Sequence, residues 1–246
     1  MKPLILLSSL LVSAQLATAA SVNLDSSSTV TVATDLTATG NVDWAYWNTS
    51  ANPASGVATN DMNGGAGIGS IVAYGTGTTV RGTSFGTTAD FSFTNGSATA
   101  SGSVTNPTGL FNSVLNTAGE GVQLDFTLAQ AGQAYTIDLW TAGFGTPSAT
   151  IVASIPGATY NSGLISNPDG GAYGGAGAKN SYRYTFTVVA DSDNDVFNFS
   201  IATGGTQQGS GHVIISAATI AVPEPATYAT IAGLSALVAV MVRRRK

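Results

Sequence analysis

The sequence contains no cysteine, and this absence removes several classes of chemistry at once. Disulfide bonds, thiolate catalysis, iron–sulfur clusters and cysteine-ligated zinc all need a residue that the chain does not have. Histidine occurs once, as His212, so a zinc site built from several histidines is excluded as well. Stability must therefore come from core packing and from hydrogen bonds between strands.

Charged residues are also scarce, at 9% of the chain against about 25% in an average soluble domain. Most of the basic residues lie in the two terminal segments. Residues 20–221 keep three basic residues against 12 acidic ones, a formal charge of −9. Such a surface repels nucleic-acid phosphates and anionic lipid headgroups, so no nucleic-acid partner is expected.

The N-terminal residues have the layout of a secretion signal. Lys2 provides a basic start, residues 4–16 form an apolar run, and the small side chains of Ala17 and Ala19 suit the pockets of signal peptidase. An uncleaved membrane anchor is the alternative, but about 13 apolar residues are too few to span a bilayer comfortably. We predict that residues 1–19 are a signal peptide, cleaved after Ala19 or one residue later.

The C-terminal segment, residues 222–246, has three consecutive parts. It begins with Val222, Pro223, Glu224 and Pro225, continues as an uncharged apolar run over 226–242, and ends with Arg243, Arg244, Arg245 and Lys246. The apolar run predicts a short transmembrane helix, and the basic cluster is expected to stay on the cytoplasmic side. The two prolines keep the preceding residues extended and accessible to a protease.

This three-part order resembles the PEP-CTERM sorting signal. The resemblance implies recognition by an exosortase, a membrane-embedded transpeptidase-like enzyme of Gram-negative bacteria that make exopolysaccharide. It also implies cleavage near Pro223-Glu224-Pro225 and transfer of the exported protein to the cell surface or extracellular matrix. A plain single-pass anchor is the alternative, but such an anchor needs no Pro-Glu-Pro sequence.

Residues 20–221 predict one all-β domain. Residues 122–128 alternate apolar and polar side chains without a fault, which is typical of a half-buried strand. Further strands are predicted at 30–33, 42–47, 68–74, 91–94, 98–104, 135–142, 149–155, 182–189, 196–201 and 212–222. Many short strands separated by turn residues favour a sandwich or a barrel, and we predict an antiparallel β-sandwich. Its core is predicted to contain Leu124, Phe126, Ile137, Leu139, Phe186, Phe197, Phe199 and Ile201.

A weaker resemblance supports the same fold. Residues 43–48 and 135–154 are similar to uncharacterised PEP-CTERM surface proteins, and the strand at 135–144 looks like those of galactose-binding-like jelly rolls. This resemblance implies a fold, an antiparallel jelly-roll-like β-sandwich, rather than a ligand.

One acidic segment has the spacing of a calcium site. Asp191, Asp193 and Asp195 alternate in the manner of carboxylates that wrap a calcium ion. The segment departs from an EF-hand loop, because Val196 stands where glycine follows and Ala202 stands where the last glutamate is needed. A polar hairpin turn between two strands explains the same residues and is the favoured interpretation.

An aromatic cluster near the start of the domain suggests a second kind of site. Trp44, Tyr46 and Trp47 could stack on sugar rings if they were exposed. Alternation places Trp44 and Tyr46 on one face of a strand and Trp47 on the other. The favoured alternative is that one face belongs to the core and the remaining tryptophan covers an edge.

No constellation in the sequence predicts catalysis. His212 lies beside a glycine-rich loop, without a signal for a nucleophile turn or an orienting acid. Glu120 is the one glutamate in residues 20–221, so no carboxylate pair for glycoside hydrolysis can be inferred. The sequence therefore predicts no enzymatic activity, and no cofactor apart from the calcium alternative.

Three functions remain open at this point. The first is a non-enzymatic surface or matrix protein. The second is a module that binds carbohydrate, such as exopolysaccharide. The third, a secreted glycan-active enzyme, is disfavoured by the scarcity of glutamate and histidine.

Overall fold

The structure, a computed structural model, describes residues 19–38, 40–50, 56–166 and 179–223. These ranges contain strands and turns but no helix, and hence no helix that is long and apolar enough to cross a membrane. Ala17, the predicted transmembrane helix at 226–242 and the basic cluster at 243–246 lie outside the described residues. Glu224 and Pro225 do so too, whereas Val222 and Pro223 are described.

The described residues contain sixteen strands. In chain order they are β1 (Ser21–Thr29), β2 (Thr34–Asp35), β3 (Asn41–Tyr46), β4 (Asn60–Asp61), β5 (Val72–Tyr74), β6 (Val80–Gly82), β7 (Phe91–Thr94), β8 (Ser101–Val104), β9 (Leu110–Asn112), β10 (Gly121–Leu128), β11 (Ala134–Phe144), β12 (Ser148–Ile155), β13 (Ala158–Ser166), β14 (Tyr182–Val189), β15 (Asp195–Gly204) and β16 (His212–Ala221).

The strands form three sheets. The front sheet has the order β1-β14-β11-β16-β3-β4, with β9 also paired to β16 and β6 paired to β9. The back sheet has the order β13-β12-β15-β10-β5, and a small cover sheet has the order β2-β7-β8. Among these strand pairs only β2 and β7 are parallel.

The path of the chain between the two large sheets is that of a jelly roll. β10, β12, β13 and β15 lie in the back sheet, while β3, β11, β14 and β16 lie in the front sheet. The resulting orders, β3-β16-β11-β14 against β10-β15-β12-β13, form an eight-stranded double-sheet jelly roll. The predicted all-β antiparallel sandwich is confirmed.

The main core fills the space between the front and back sheets, and the predicted core residues all lie in it. Four phenylalanines pack at tilted or edge-on angles in this core, with ring centroids 5.6 Å apart for Phe126 and Phe197, 5.9 Å for Phe186 and Phe197, and 6.0 Å for Phe186 and Phe199. Each fully buried side chain of this size contributes about 1.5–3 kcal/mol of transfer free energy. The apolar side chains that alternate along these strands therefore supply the core that holds the two sheets together.

A second apolar cluster lies on the outer face of the front sheet. Trp44 and Tyr46 of β3 and Trp140 of β11 pack there against Phe91 and Phe93 of the cover sheet. Trp140 interrupts the polar side of β11 and is fully buried, with the ring of Phe91 from the cover sheet packed edge-on against it.

The structure corrects the prediction at some polar segments. The predicted strand at 30–33 is a connection, and β1 precedes it at Ser21–Thr29. β13 was not predicted either. Both β1 and β13 are edge strands with largely exposed side chains, so their sequences carry little apolar alternation.

Candidate functional site

A groove lies on the outer face of the front sheet, beside the cover sheet. Residues 28–35 cross above this face and enclose a space of about 520 Å³, which we call the outer groove. Its rim is rich in hydroxyl groups, and its floor includes Asp138, Trp140, Arg183 and Thr219. The volume is typical of ligand-binding clefts.

Strand register brings the floor residues together. In the antiparallel pairing of β11 with β14, Asp138 is opposite Thr185 and Trp140 is opposite Arg183. On the other side of β11, Asp138 is opposite Thr219 of β16. Directly opposed side chains of antiparallel strands point to the same face, so all of these project from the outer face.

The charged groups of the groove form a connected pair. Nη2 of Arg183 donates to Oδ2 of Asp138 at 2.6 Å, and the hydroxyl of Thr185 donates to Oδ1 of the same carboxylate at 2.6 Å. The guanidinium carbon of Arg183 lies 5.5 Å from the ring centroid of Trp140. Because the Arg183 side chain is 42% exposed, this pair is better suited to recognition than to stabilising the fold.

Two buried donors at this site lack an acceptor. Among the described residues, neither Nε of Arg183 nor Nε1 of Trp140 has a hydrogen-bond partner. Two unpartnered N–H groups thus lie just beneath the floor of the groove, beside a carboxylate that two other groups already hold. This arrangement can recognise polar groups, and it presents no nucleophile activated by a base.

The aromatic cluster for which glycan contact was the less favoured interpretation is part of the protein interior. Trp44 and Trp47 are fully buried and Tyr46 is 8% exposed. Trp44 stacks on Tyr46 in the second cluster, while Nε1 of Trp47 donates to the carbonyl of Gly56 on the main-core side. The two faces divide as predicted and the favoured core interpretation holds, except that Trp47 packs in the main core instead of covering an edge. The buried rings leave no face for a sugar.

The acidic segment that follows β14 is a turn. Asp193 accepts from the backbone N–H of Ala131 at 2.8 Å, and Asp195 accepts from that of Ser192 at 3.1 Å. No group of three or more acidic or histidine side chains able to hold a metal ion occurs among the described residues. Asp191 accepts from the hydroxyl of Ser192 at 3.2 Å. The turn connects the two sheets rather than closing a hairpin, which corrects the predicted hairpin.

A buried carboxylate on β3, which sequence reasoning missed, anchors one of the long loops. Asp43 accepts hydrogen bonds from the backbone N–H groups of Trp44, Gly67 and Ile68, at 2.8–2.9 Å. Burial raises the pKa of Asp43, and these hydrogen bonds oppose that shift. A Cβ at Gly65 would lie 2.0 Å from Oδ1 of Asp43, so this loop needs glycine there. The sequence signal for this contact was the glycine-rich segment at 64–69, which follows the strand that carries Asp43.

A second buried carboxylate holds another loop. Glu120 accepts from the backbone N–H groups of Thr76 and Gly77, from the Thr76 hydroxyl and from Nδ2 of Asn112, with distances from 2.5 to 3.1 Å. Burial by itself raises the pKa of Glu120, but the hydrogen bonds outweigh it and hold the pKa below the usual range. Glu120 is therefore a structural acceptor, occupied on both oxygens.

His212 lies in an aromatic environment at the opposite end of the sandwich from Ala221. Its ring stacks on Phe111 at 4.2 Å and lies 5.4 Å from Phe144, and its Nδ1 donates to the carbonyl of Ser210 at 2.6 Å. Burial lowers the pKa of His212 to about 4. The contacts of this ring are those of a packed core residue.

Comparison with known proteins assigns the C-terminal segment. A family model described as the PEP-CTERM protein-sorting motif matches residues 221–246, which confirms the resemblance of these residues to that signal. The motif implies processing by an exosortase-type enzyme and an exported, membrane-associated surface protein. No curated protein matches the chain.

Among solved structures, the chain is similar to the enzymatically active domain of tailspike protein 4 from bacteriophage CBA120. The two are 12% identical with a TM-score of 0.34, and the match covers 69% of this chain and 22% of the tailspike chain. The chain thus spans less than a quarter of that protein, and a likeness this distant carries no argument about activity.

Proposed function

We propose that this chain is an exported, non-enzymatic surface protein whose jelly-roll body is delivered to the cell surface or extracellular matrix by its sorting tail. The observation that carries the proposal is the PEP-CTERM motif at residues 221–246. In this proposal, residues 1–19 direct export and are removed by signal peptidase. Residues 226–242 hold the chain in the membrane until an exosortase-type enzyme acts at Pro223-Glu224-Pro225, and residues 243–246 stay on the cytoplasmic side.

The strand register supports this arrangement, because the first and last strands of the domain have their terminal residues, Ser21 and Ala221, at the same end of the sandwich. Ser21 of β1 and Ala134 of β11 are both opposite Val189 of β14, and Thr136 of β11 is opposite Ala221 of β16. The export signal and the sorting motif therefore leave the same end of the sandwich.

The distance from this end to the membrane is short in the unprocessed chain. Residues 223–225 separate the sandwich from the predicted transmembrane helix, and fully extended they span about 10 Å. The end that carries the β10–β11 and β14–β15 turns therefore faces the membrane before processing. The opposite end, with His212, faces outward.

The absence of an enzymatic role in this proposal is supported by how the acids are used. Glu120 and Asp43 are buried acceptors that hold loops, and Asp138 is held by Arg183 and Thr185. An acid or base for glycoside hydrolysis needs a carboxyl group free to exchange a proton with the substrate. The one glutamate of the domain does not meet that requirement.

The sorting role is tested by Glu224→Ala in a host that has an exosortase-type enzyme, with cell fractionation and an antiserum against the folded domain. Because the apolar helix is untouched, we expect insertion to persist and the full-length form to accumulate in the inner membrane. Asp191→Ala, at an exposed acid on the same end of the sandwich, is the matched control and should be processed normally. Arrival of the Glu224→Ala protein at the surface with unchanged mass and yield would show a plain anchor instead.

The orientation is tested separately by deleting residues 243–246. The basic cluster is the cytoplasmic anchor in this proposal, so its removal should impair retention or invert part of the population. Protease accessibility of the domain in intact cells measures this. Normal orientation and yield without the four residues would contradict their assigned role.

A further inference from the structure

We propose that the outer groove binds a neutral saccharide. This inference rests on the proposed function, since a domain presented outside the membrane is one that meets extracellular glycans. It does not use the aromatic cluster of β3, which is buried.

The first argument is the hydrogen-bonding character of the floor. Nε of Arg183 and Nε1 of Trp140 are buried donors without an acceptor among the described residues. The Arg183 side chain is 42% exposed, so a ligand in the groove can accept from its guanidinium, whereas Nε1 of Trp140 lies beneath the floor. A sugar hydroxyl accepts from such donors and in turn donates its own proton to a neighbouring oxygen.

The second argument is the composition of the rim. Thr29, Thr31 and Thr34 on the crossing segment and Thr219 on β16 line the groove with hydroxyl groups, and Asn41 adds an amide. Each of these groups both donates and accepts hydrogen bonds. A ligand that carries hydroxyl groups over its whole surface matches such a lining better than an apolar ligand does.

The third argument is charge, which selects a neutral ligand. Arg183 is compensated by Asp138, and Asp35 on the rim adds a further negative charge. The remainder of the domain is acidic, with 12 acidic against three basic residues in 20–221. Uronates, sulfates and phosphates are therefore repelled from the groove.

A second cleft among the described residues is less suitable. It lies on the outer face of the back sheet between Tyr74 and Leu164, with a volume of about 370 Å³. None of the described side chains that line it carries an unpaired buried polar atom. This cleft serves as the competing location in the test.

The test uses the full chain, purified in detergent, in affinity electrophoresis through gels that contain galactomannan, xylan or dextran, with alginate as the anionic polysaccharide. Ala33→Trp places a large ring in the groove from an exposed rim position, and Arg183→Met removes the donors while keeping an unbranched apolar side chain. The matched controls are Ala100→Trp, at an exposed alanine of the β7–β8 turn, and Arg81→Met, at an exposed arginine of β6.

We expect retardation by at least one neutral polysaccharide, weakened about tenfold or more by each groove variant and unchanged in both controls. Thermal melting establishes that each variant is folded. If Arg183→Met is destabilised, the result for Ala33→Trp, at an exposed position, determines whether the groove is the binding site. Failure of all three neutral polysaccharides to bind would overturn the inference. So would binding that Ala33→Trp leaves intact, which would point to the back sheet, or a preference for alginate. None of these outcomes affects the sorting result for Glu224→Ala, so the two proposals fail separately.

Discussion

The backbone N–H of Val222 donates a hydrogen bond to the carbonyl oxygen of Gly40 at 3.1 Å, so the first residue beyond β16 is still held by the sandwich. β16 lies between β11 and β3 in the interior of the front sheet. The sorting motif therefore continues from a central strand and not from an edge. A sharp boundary between folded domain and tail follows from this placement.

That boundary predicts the outcome of two truncations. A chain of residues 20–222 should match the urea midpoint of residues 20–246, because the front sheet is complete. A chain of residues 20–219 removes Ile220, which is 2% exposed in the main core, and should lose about 2–5 kcal/mol of unfolding free energy. Equal midpoints for the two truncated chains would place the domain boundary before Ile220.

The main core predicts a large effect at Phe126. This side chain is fully buried and contacts Phe197, so Phe126→Ala should lower the unfolding free energy by about 3–5 kcal/mol. Val32→Ala, at a side chain that is 74% exposed, should change it by less than about 0.5 kcal/mol. Urea unfolding of both variants measures this. A loss below about 1 kcal/mol at Phe126 would contradict its place in the core.

Much of the sandwich was predictable because its central strands alternate. Residues 122–128 form β10 with the expected inward face, since a strand buried on one side must repeat every second residue. The edge strands β1 and β13 were missed for the converse reason: an edge needs few apolar contacts, so nothing in its pattern separates it from a loop.

The site was less predictable than the fold, because it depends on contacts between distant segments. Whether Trp44 is exposed or buried is decided by Phe93, which lies on the cover sheet far along the chain. The pairing of Asp138 with Arg183 likewise requires the register of β11 on β14. Side-chain chemistry alone favoured burial of the tryptophans without establishing it, and it did not identify the ion pair.

Opposite shifts of two buried carboxylates predict opposite pH dependences. The pKa of Glu120 is lowered in the folded state, so its stabilising contribution is present above the ordinary value of 4.5 and is lost as the pH falls through the folded pKa. The pKa of Asp43 is raised by burial, so its contribution grows as the pH falls. On acidification from about pH 6 to about pH 3, Glu120→Gln should therefore lose less stability than the parent, and Asp43→Asn should lose more.

Urea midpoints across this pH range test the pair, and each variant serves as the control for the other. Both replace a carboxylate with an amide of the same shape, so a general effect of removing a buried charge would move the two profiles in the same direction. Parallel profiles for Glu120→Gln and Asp43→Asn would show that the hydrogen bonds from Thr76, Gly77 and Asn112 do not outweigh the burial of Glu120.

His212 predicts a second pH effect, which a single nuclear magnetic resonance signal can follow because the chain has one histidine. Burial lowers its pKa to about 4 from an ordinary 6.5, so the unfolded chain binds the proton more readily and stability falls as the pH drops from 6.5 toward 4. The ring proton signal should titrate with a midpoint near 4 in the folded protein and near 6.5 in concentrated urea. Phe111→Ala removes the ring 4.2 Å away, admits water and should raise the folded midpoint. A folded midpoint at or above about 6 in the parent would mean that His212 is solvated, and the aromatic packing described around it would be wrong.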